Sequence, residues 1–510
     1  MHDSLRIPLI LITALGLAAC GGAAPEGPAP GTTLERAAAT ITPADLAREI
    51  GVLADDSMAG RDTPSPELEK AASYLAGRFE AMGLEPAGED GTYIDRFEYS
   101  ISRLATEETV VRVQGHDDGP RYERDFFMVA GPAPVESEAY YVGVAGEATA
   151  PPEEAHGAIL VYDHPGGELD QQWQMRMMGA VQAAVTNQAA ALLIVLDPEF
   201  PGEMMGQLAQ ATASQPAPFP VVGITHEAAR QLFASVGTDL EAVRSAGQPA
   251  GLGDAVLEIR SQRTTRSETP PNVVALLRGS DPALRDSYVV LTAHFDHVGV
   301  GAADETGDSI FNGADDDASG TAAVLEIAEA FAALDTPPAR SVVFLLVSGE
   351  EKGLLGSRAW VADPTIDDVG NIVANVNMDM VGRDPLPDTV IGIGQEYTTL
   401  EGVLQRIVEQ RPELGLTVIL DPKPEEQYFF RSDQLPFIQQ GIPAVFFTTG
   451  EHEDYHQQSD EPEAIDTDKA ARVARLGFYL AWDIATAAET PEWTEEGRAR
   501  VEEMLQQSPF

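Results

Sequence analysis

From Asn272 onward, the apolar positions of the chain follow two periods in turn. The stretches "NVVALLRG", "YVVLTAH", "SVVFLLVS", "NIVANVNMDM", "TVIGIG" and "IPAVFFTTG" are nearly continuous apolar runs, rich in β-branched residues. Such runs predict strands covered on both faces, the pattern of a mostly parallel sheet. Between them, "GTAAVLEIAEAFAAL" and "LEGVLQRIVEQ" space their apolar residues three and four apart, which is the helical period. The C-terminal stretches "DKAARVARLGFYLAWDIATAA" and "EWTEEGRARVEEMLQQ" read as helices on or beside that sheet. Upstream, "SPELEKAASYLAGRFEAMG" carries full helix punctuation: Ser65 as N-cap, Pro66 at the first position, Glu67 and Glu69 in the first turn, Gly83 as the stop. The predicted class is α/β, a mostly parallel sheet flanked by helices.

Between residues 126 and 262 the texture changes. "GAILVYD", "AALLIVLD" and "PFPVVGIT" predict short strands and "HEAARQLFASVG" a helix, with no cluster of histidines and acids at the strand ends. The pattern marks a module inserted between an N-terminal part, 42–125, and the main α/β part, 263–510. At the start of the chain, Arg6 precedes "IPLILITALGLAAC", an apolar run too short to span a bilayer and ending in small residues. Residues 1–19 therefore read as a secretory signal peptide. Residues 20–41, rich in Gly, Ala and Pro, are expected to form a flexible tether. No later segment has the length and apolarity of a transmembrane helix, and there is no internal repeat.

Composition changes this picture in two ways. The 510 residues carry 82 acidic and 32 basic side chains, a formal charge of −50. That balance excludes nucleic acid as a partner, favours solubility, and favours cationic over anionic ligands; a salt-rich habitat would produce it equally. Cys20 is the single cysteine, so a mature chain has no internal disulfide and no thiolate metal site.

The polar residues at the strand ends carry the chemistry. "YVVLTAHFDH" runs into His294 and Asp296, "SVVFLLVSGEE" into Glu350 and Glu351, "NIVANVNMDM" into Asp379, and "IPAVFFTTGEHEDYH" into His452 and His456. A fifth segment, "FNGADDDASG", adds the triplet Asp315, Asp316, Asp317 before a helix. In open α/β sheets ligands bind at the carboxyl ends of the strands, so this dense negative cluster needs neutralising. Imidazole and carboxylate without thiolate suit zinc, with manganese or cobalt as substitutes, and the surplus of carboxylates suits two ions sharing a bridge. "HEDYH", 452–456, also fits the His-Glu-x-x-His pattern of zincins. That pattern needs a helix, whereas these residues follow a strand and Gly450 and read as a loop.

Two further resemblances concern the module and the N-terminus. The segment "AYYVGVAGEA…GAILVYDH…GAVQAAVTNQAAALLIVLD…FPVVGITHEAARQLF" resembles a protease-associated domain, placed at 126–262. "LGLAAC" resembles the lipobox of bacterial lipoproteins, which implies lipidation at Cys20. It also implies an exported protein anchored in a bacterial membrane, facing the periplasm or the cell surface, with no other membrane contact.

The ordered set "AHFDHVG", "NGADDDASGTAAVLE", "VSGEEKGLLGS", "NVNMDMVGR", "RSDQLPF" and "DYHQQSD" resembles the dizinc exopeptidases that include bacterial secreted leucyl aminopeptidases and glutamate carboxypeptidases. The resemblance covers 272–470 and the helix at 65–83, and it implies a mixed eight-stranded sheet flanked by helices. It also implies two zinc ions per chain: Asp316 as the bridge, Asp379 with His294 on one ion, Glu351 with His456 on the other. Asp296 would orient the His294 ring and Glu350 would be the general base for a metal-activated water. Tyr455 would assist the oxyanion, and Asp460 would support His456. Asp317 would follow a cis peptide bond, Asp315 would be a bystander, and His297 and His452 are read as non-ligands. Where many relatives read Ser-Asp-His, this chain has Ser432-Asp433-Gln434, which is expected to alter the pocket rim. The implied activity is an aminopeptidase acting on peptides with a free N-terminus. A carboxypeptidase would need cations near the site, and Arg383 and Arg431 are the candidates. A glutaminyl cyclase would use one zinc, and a non-catalytic binding protein would have lost ligands.

Overall fold

The computed structural model describes residues 33–507 apart from 146–150, 165–170, 201–203, 213–214, 216, 305 and 384–387. The signal peptide and Cys20 lie outside the described residues. The chain forms two compact units, one from the segments up to Phe97 and from Pro271 onward, the other from Glu98–Pro270.

The first unit is built on a nine-stranded sheet: β1 (Glu85–Pro86), β2 (Ile94–Arg96), β3 (Pro271–Leu277), β4 (Tyr288–His294), β5 (Ser341–Val347), β6 (Ile372–Met378), β7 (Thr389–Ile393), β8 (Thr417–Ile419) and β9 (Ala444–Thr448). The strand order is β1-β3-β5-β4-β6-β9-β7-β8, with β2 also paired to β3. The central strands β5, β4, β6 and β9 are parallel, and antiparallel pairings lie towards the edges. Eight strand positions cross this sheet although nine strands are present. β1 and β2 are short and both pair with β3, at Leu276 and Val273 respectively.

Every residue of β4 and β5 is buried, which is why their sequences show no alternation. Alternate residues serve opposite faces. Val289, Leu291 and Ala293 pack with the helices Pro43–Leu53, Pro66–Met82, Gly320–Ala332 and Thr467–Thr486. Tyr288 and Val290 pack on the other side with Val343, Leu345, Trp360 and Phe437. Each fully buried Val or Leu contributes about 1.5–3 kcal/mol, so the sheet is a rigid base for whatever its strand ends carry.

Helix Pro66–Met82 forms as its punctuation predicts. The Ser65 side chain accepts from the Leu68 amide, and Gly83 closes the helix at φ 73°. The tether ends earlier than composition suggests. Thr33–Ala38 is a helix whose Ala37 and Ala38 are buried in the main core, so the alanines of "ERAAAT" act as helix formers and small core residues. Among the described residues, no helix is long and apolar enough to cross a membrane.

The second unit has a seven-stranded sheet in the order Val110–Val113, Ala250–Arg260, Val135–Val144, Ile159–Asp163, Ala191–Val195, Val221–Ile224, Phe126–Val129. The strands and the helix read from "GAILVYD", "AALLIVLD", "PFPVVGIT" and "HEAARQLF" are all present. The unit is wider than 126–262. Val110–Val113 pairs with Ala250–Arg260, and Tyr99–Leu104 pairs with Arg263–Glu268. Val110–Val113 has only 4 residues, and Tyr99–Leu104 and Arg263–Glu268 are half or wholly polar, so apolar texture does not reveal them.

Candidate metal centre

Because β5, β4, β6 and β9 are adjacent and parallel, their carboxyl ends share one edge of the sheet. His294 ends β4, Glu350 and Glu351 follow β5, Asp379 follows β6, and the segment after β9 supplies Tyr455 and His456. Asp316 stands in the turn before helix Gly320–Ala332. These side chains form two groups that share one carboxylate.

In the first group, His294 Nε2 lies 3.3 Å from Asp316 Oδ1 and 3.5 Å from Asp379 Oδ1. In the second, His456 Nε2 lies 3.0 Å from Asp316 Oδ2 and 3.2 Å from Glu351 Oε2. Ligands bound to zinc at 2.0–2.2 Å in a tetrahedron are separated by about 3.4 Å, so these spacings fit donors around an ion. Asp379 Oδ1, Glu351 Oε1 and His456 Nε2 are buried and have no hydrogen-bond partner. Each such atom costs about 1–3 kcal/mol unless something satisfies it, and a divalent cation in each group would do so. The donor set therefore fits two metal ions.

The electrostatics agree. Burial opposes charge on His294, yet Asp379, Asp296 and Asp316 outweigh it and hold the imidazolium well above its usual range. Burial likewise pulls His456 down, but Asp316 and Glu351 lift it to about 10. The cluster's surplus negative charge demands positive charge at its centre. Burial, and then the like charges of Glu351, Asp433 and Asp379, push the Glu350 carboxyl well above its usual range, with His294 opposing. Glu350 is in neither donor group. It lines a cavity of about 50 Å³ with His294, Asp316, Asp379 and Tyr455, walled by Met380, Ile391, Tyr428 and Phe446.

The aspartate triplet divides its work. Asp316 is the shared carboxylate. Asp317 follows a cis peptide bond, as the resemblance implies, and its carboxylate accepts from the amides of His294, Gly320 and Met380. Asp315 is not among the donors, but it is no bystander. Its carboxylate accepts from Ser319 Oγ and the Gly382 amide, tying the turn to the segment after Asp379.

Two supporting assignments change and one is enlarged. Asp296 Oδ1 is 3.7 Å from His294 Nδ1, and the backbone oxygen of Asp296 is 3.2 Å away. The Asp296 carboxylate also accepts from Thr63 Oγ1 at 3.0 Å and from the Glu350 amide at 3.2 Å, so it anchors the base-bearing loop. Asp460 supports the triplet rather than His456, accepting from the amides of Asp315 and Asp316. Gln434 is fully buried, away from any rim. Its side chain accepts from Asn377 Nδ2, which also donates to Ser432 Oγ, and Ser432 in turn donates to Asp379 at 2.6 Å.

Residues 452–456 form turns, not a helix. His452 reaches Asp315 Oδ2 at 3.3 Å while His456 enters the donor group, which disposes of the zincin pattern. Tyr455 stacks on His456 with centroids 4.0 Å apart and lines the cavity. Arg431 also lines the cavity but bonds Glu451 at 2.8 Å, and Arg383 bonds Asp454 at 2.5 Å. One residue read from the sequence as a non-ligand joins the second donor group: His297, next to Asp296 in "HFDH". Strand alternation would turn it away from His294, but β4 ends at His294 and the loop brings it back. Arg61 is also unforeseen. It is fully buried and donates to the carbonyls of Leu53, Phe295, Asn312 and Gly313, bracing the loops that carry His294 and Asp316.

Residues 272–481 match the pattern of peptidase family M28. The M28 segment contains both donor groups and Glu350. Among curated proteins, the chain is 29% identical over 261 residues to a probable zinc metalloprotease of Pyricularia oryzae, covering 42% of this chain and 50% of that protein. It is 28% identical over 295 residues to probable leucine aminopeptidase 2 of Aspergillus fumigatus, covering 58% of this chain and 51% of that one. The chain thus spans about half the length of the curated relatives it matches. The aminopeptidase from Aneurinibacillus sp. strain AM-1 aligns over 90% of this chain and 97% of its own, with TM-score 0.55 and 19% identity. BSAP, a zinc aminopeptidase from Bacillus subtilis, aligns over 89% and 98%, with TM-score 0.53 and 19% identity. These two likenesses establish the zinc-aminopeptidase fold of the M28 segment.

Proposed function

We propose that the protein is a zinc aminopeptidase that removes N-terminal residues from peptides, using two zinc ions and Glu350 as general base. The observation that carries this is the placement of Glu350 in one cavity with His294, Asp316 and Asp379, beside a second donor group sharing Asp316. When bound, zinc supplies Lewis acidity and lowers the pKa of a coordinated water. Glu350 accepts a proton from the attacking water and returns it to the leaving amine. Asp296 holds the Glu350 backbone in place through its amide. Tyr455, at the cavity wall, is the donor available to an oxyanion.

The polarity of attack follows from charge. Asp316, Glu350, Asp379 and Glu451 line the cavity, and its one lining cation, Arg431, is paired with Glu451. Bound zinc would offset the charge of its own donors, and Arg431, paired with Glu451, has no free charge to hold a substrate carboxylate. This selects aminopeptidase over carboxypeptidase. The presence of two complete donor groups disfavours a one-zinc cyclase or a ligand-depleted binding protein. The walls Met380, Ile391 and Phe446 suit an apolar side chain.

The test is metal removal. Elemental analysis of the purified protein is expected to find about two zinc ions per chain, and exhaustive chelation to abolish hydrolysis of an apolar dipeptide until zinc is restored. Undiminished hydrolysis by metal-free protein would refute the reading. The proposal extends to export: "LGLAAC" implies acylation of Cys20. Mass spectrometry of the natural N-terminus is expected to show acyl chains on Cys20, and an unmodified N-terminus beginning elsewhere would contradict it.

A further inference from the structure

We propose that His297 is a protein ligand of the ion held by Asp316, Glu351 and His456, so that this ion takes two imidazoles and its neighbour takes one. The inference rests on the two-ion reading above and adds a donor to it.

Position is the first argument. His297 Nδ1 lies 2.9 Å from Glu351 Oε1 and 3.7 Å from Asp316 Oδ2, and it belongs with His456 to a group whose donor atoms all lie within 4.8 Å of one another. The His297 and His456 rings meet edge to face with centroids 5.5 Å apart.

Satisfaction is the second. His297 is fully buried, and neither of its ring nitrogens has a hydrogen-bond partner. Glu351 Oε1 is close enough to Nδ1 to accept, yet no hydrogen bond forms between them, because the nitrogen is not aimed at that oxygen. A neutral imidazole has one donor and one acceptor nitrogen, and leaving a buried one unpaired incurs its desolvation cost. An imidazole ligates through its lone-pair nitrogen, and a cation among Nδ1, Glu351 and Asp316 would satisfy that nitrogen.

Rigidity is the third. The His297 amide donates to the Arg61 carbonyl at 3.4 Å. Against the ring lies Gly313, at φ +58°, where a Cβ would stand 2.5 Å from His297 Cγ. The imidazole is therefore clamped from behind by a position that tolerates only glycine, as ligands held for a metal are.

The two donor groups then differ in kind. Four protein donors resemble a closed tetrahedral site, whereas His294, Asp316 and Asp379 leave a position open. The cavity respects that difference: its lining includes all three donors of the His294 group and Glu350, but not His297, Glu351 or His456.

The experiment is metal binding by His297→Ala, read with zinc competition and with the visible spectrum of the cobalt-loaded protein. Loss of a direct ligand is expected to weaken one of the two ions by more than the about 10–100-fold typical of an outer-shell partner. The cobalt spectrum should change, and added imidazole should restore both. Natural affinity for both ions with an unchanged spectrum would overturn the assignment. If the variant does not fold, anomalous diffraction at the zinc edge from the zinc-loaded natural protein decides. An ion at about 2.0–2.1 Å from His297 Nδ1 is expected, and an ion beyond bonding distance overturns it. Two bound ions with His297 coordinated but no hydrolysis of any peptide would refute the peptidase reading instead, and leave this assignment standing.

Discussion

Replacing Glu350 by Gln lowers turnover by about 10²–10⁴-fold, the contribution of a positioned general base, and leaves the metal content unchanged. The side chain lies in the cavity beside His294, Asp316 and Asp379 but belongs to neither donor group, so the change removes a proton acceptor without removing a ligand. The amide keeps the volume of the carboxylate, and the Glu350 backbone N–H still meets Asp296, so the loop holds its shape. The loss should appear in kcat with little change in KM, because proton transfer belongs to the transition state rather than to substrate binding. Steady-state kinetics together with elemental analysis check it. Near-normal kcat would place the base elsewhere, and a fall in KM-type binding with lost metal would make Glu350 a ligand.

Asp316→Asn is expected to be more damaging still. One carboxylate reaches both groups, Oδ1 towards His294 at 3.3 Å and Oδ2 towards His456 at 3.0 Å. The amide offers one oxygen and points an N–H at the place where the other ion needs an acceptor. At least one ion should be lost under conditions that saturate the natural protein. Charge stabilisation by a metal is worth several kcal/mol and each 1.4 kcal/mol is tenfold, so activity should fall by about 10⁴-fold or more. The fold should survive: Asp460 still holds the amides of Asp315 and Asp316, and Asp317 still caps the adjoining segments. A variant that binds two ions with natural affinity would show that Asp316 bridges nothing.

The sheet and the donors were legible in the sequence for one physical reason. Strands buried on both faces, such as "YVVLTAH" and "SVVFLLVS", admit no charged residue until they end, so each His or Glu that breaks the run marks an edge where ligands gather. What sequence could not supply was the direction of side chains beyond the strand ends. His297 was set aside as a non-ligand, whereas the loop after β4 brings it into the second donor group. Asp460 was paired with its neighbour in sequence, when its partners lie about 145 positions away. Gln434 was placed at a rim because a motif departure suggests altered contacts, whereas it is a buried hydrogen-bond partner of Asn377, behind Asp379. The helix Thr33–Ala38 was hidden in tether-like composition, since alanine serves linkers, helices and small core positions alike. The flanking strands Tyr99–Leu104 and Val110–Val113 were hidden because the first is half polar and the second is only 4 residues long.

The central claim is that a cavity whose one arginine is paired to Glu451 cannot hold a substrate carboxylate, so that a free amino terminus is the required handle. The measurement that meets it most directly compares hydrolysis of one short apolar peptide with hydrolysis of its N-acetylated and its C-amidated forms by the zinc-loaded protein. Acetylation removes the ammonium and is expected to abolish cleavage; amidation removes a carboxylate the site does not use and is expected to leave it intact. Cleavage that survives acetylation and is blocked by amidation would contradict the account and make the protein a carboxypeptidase.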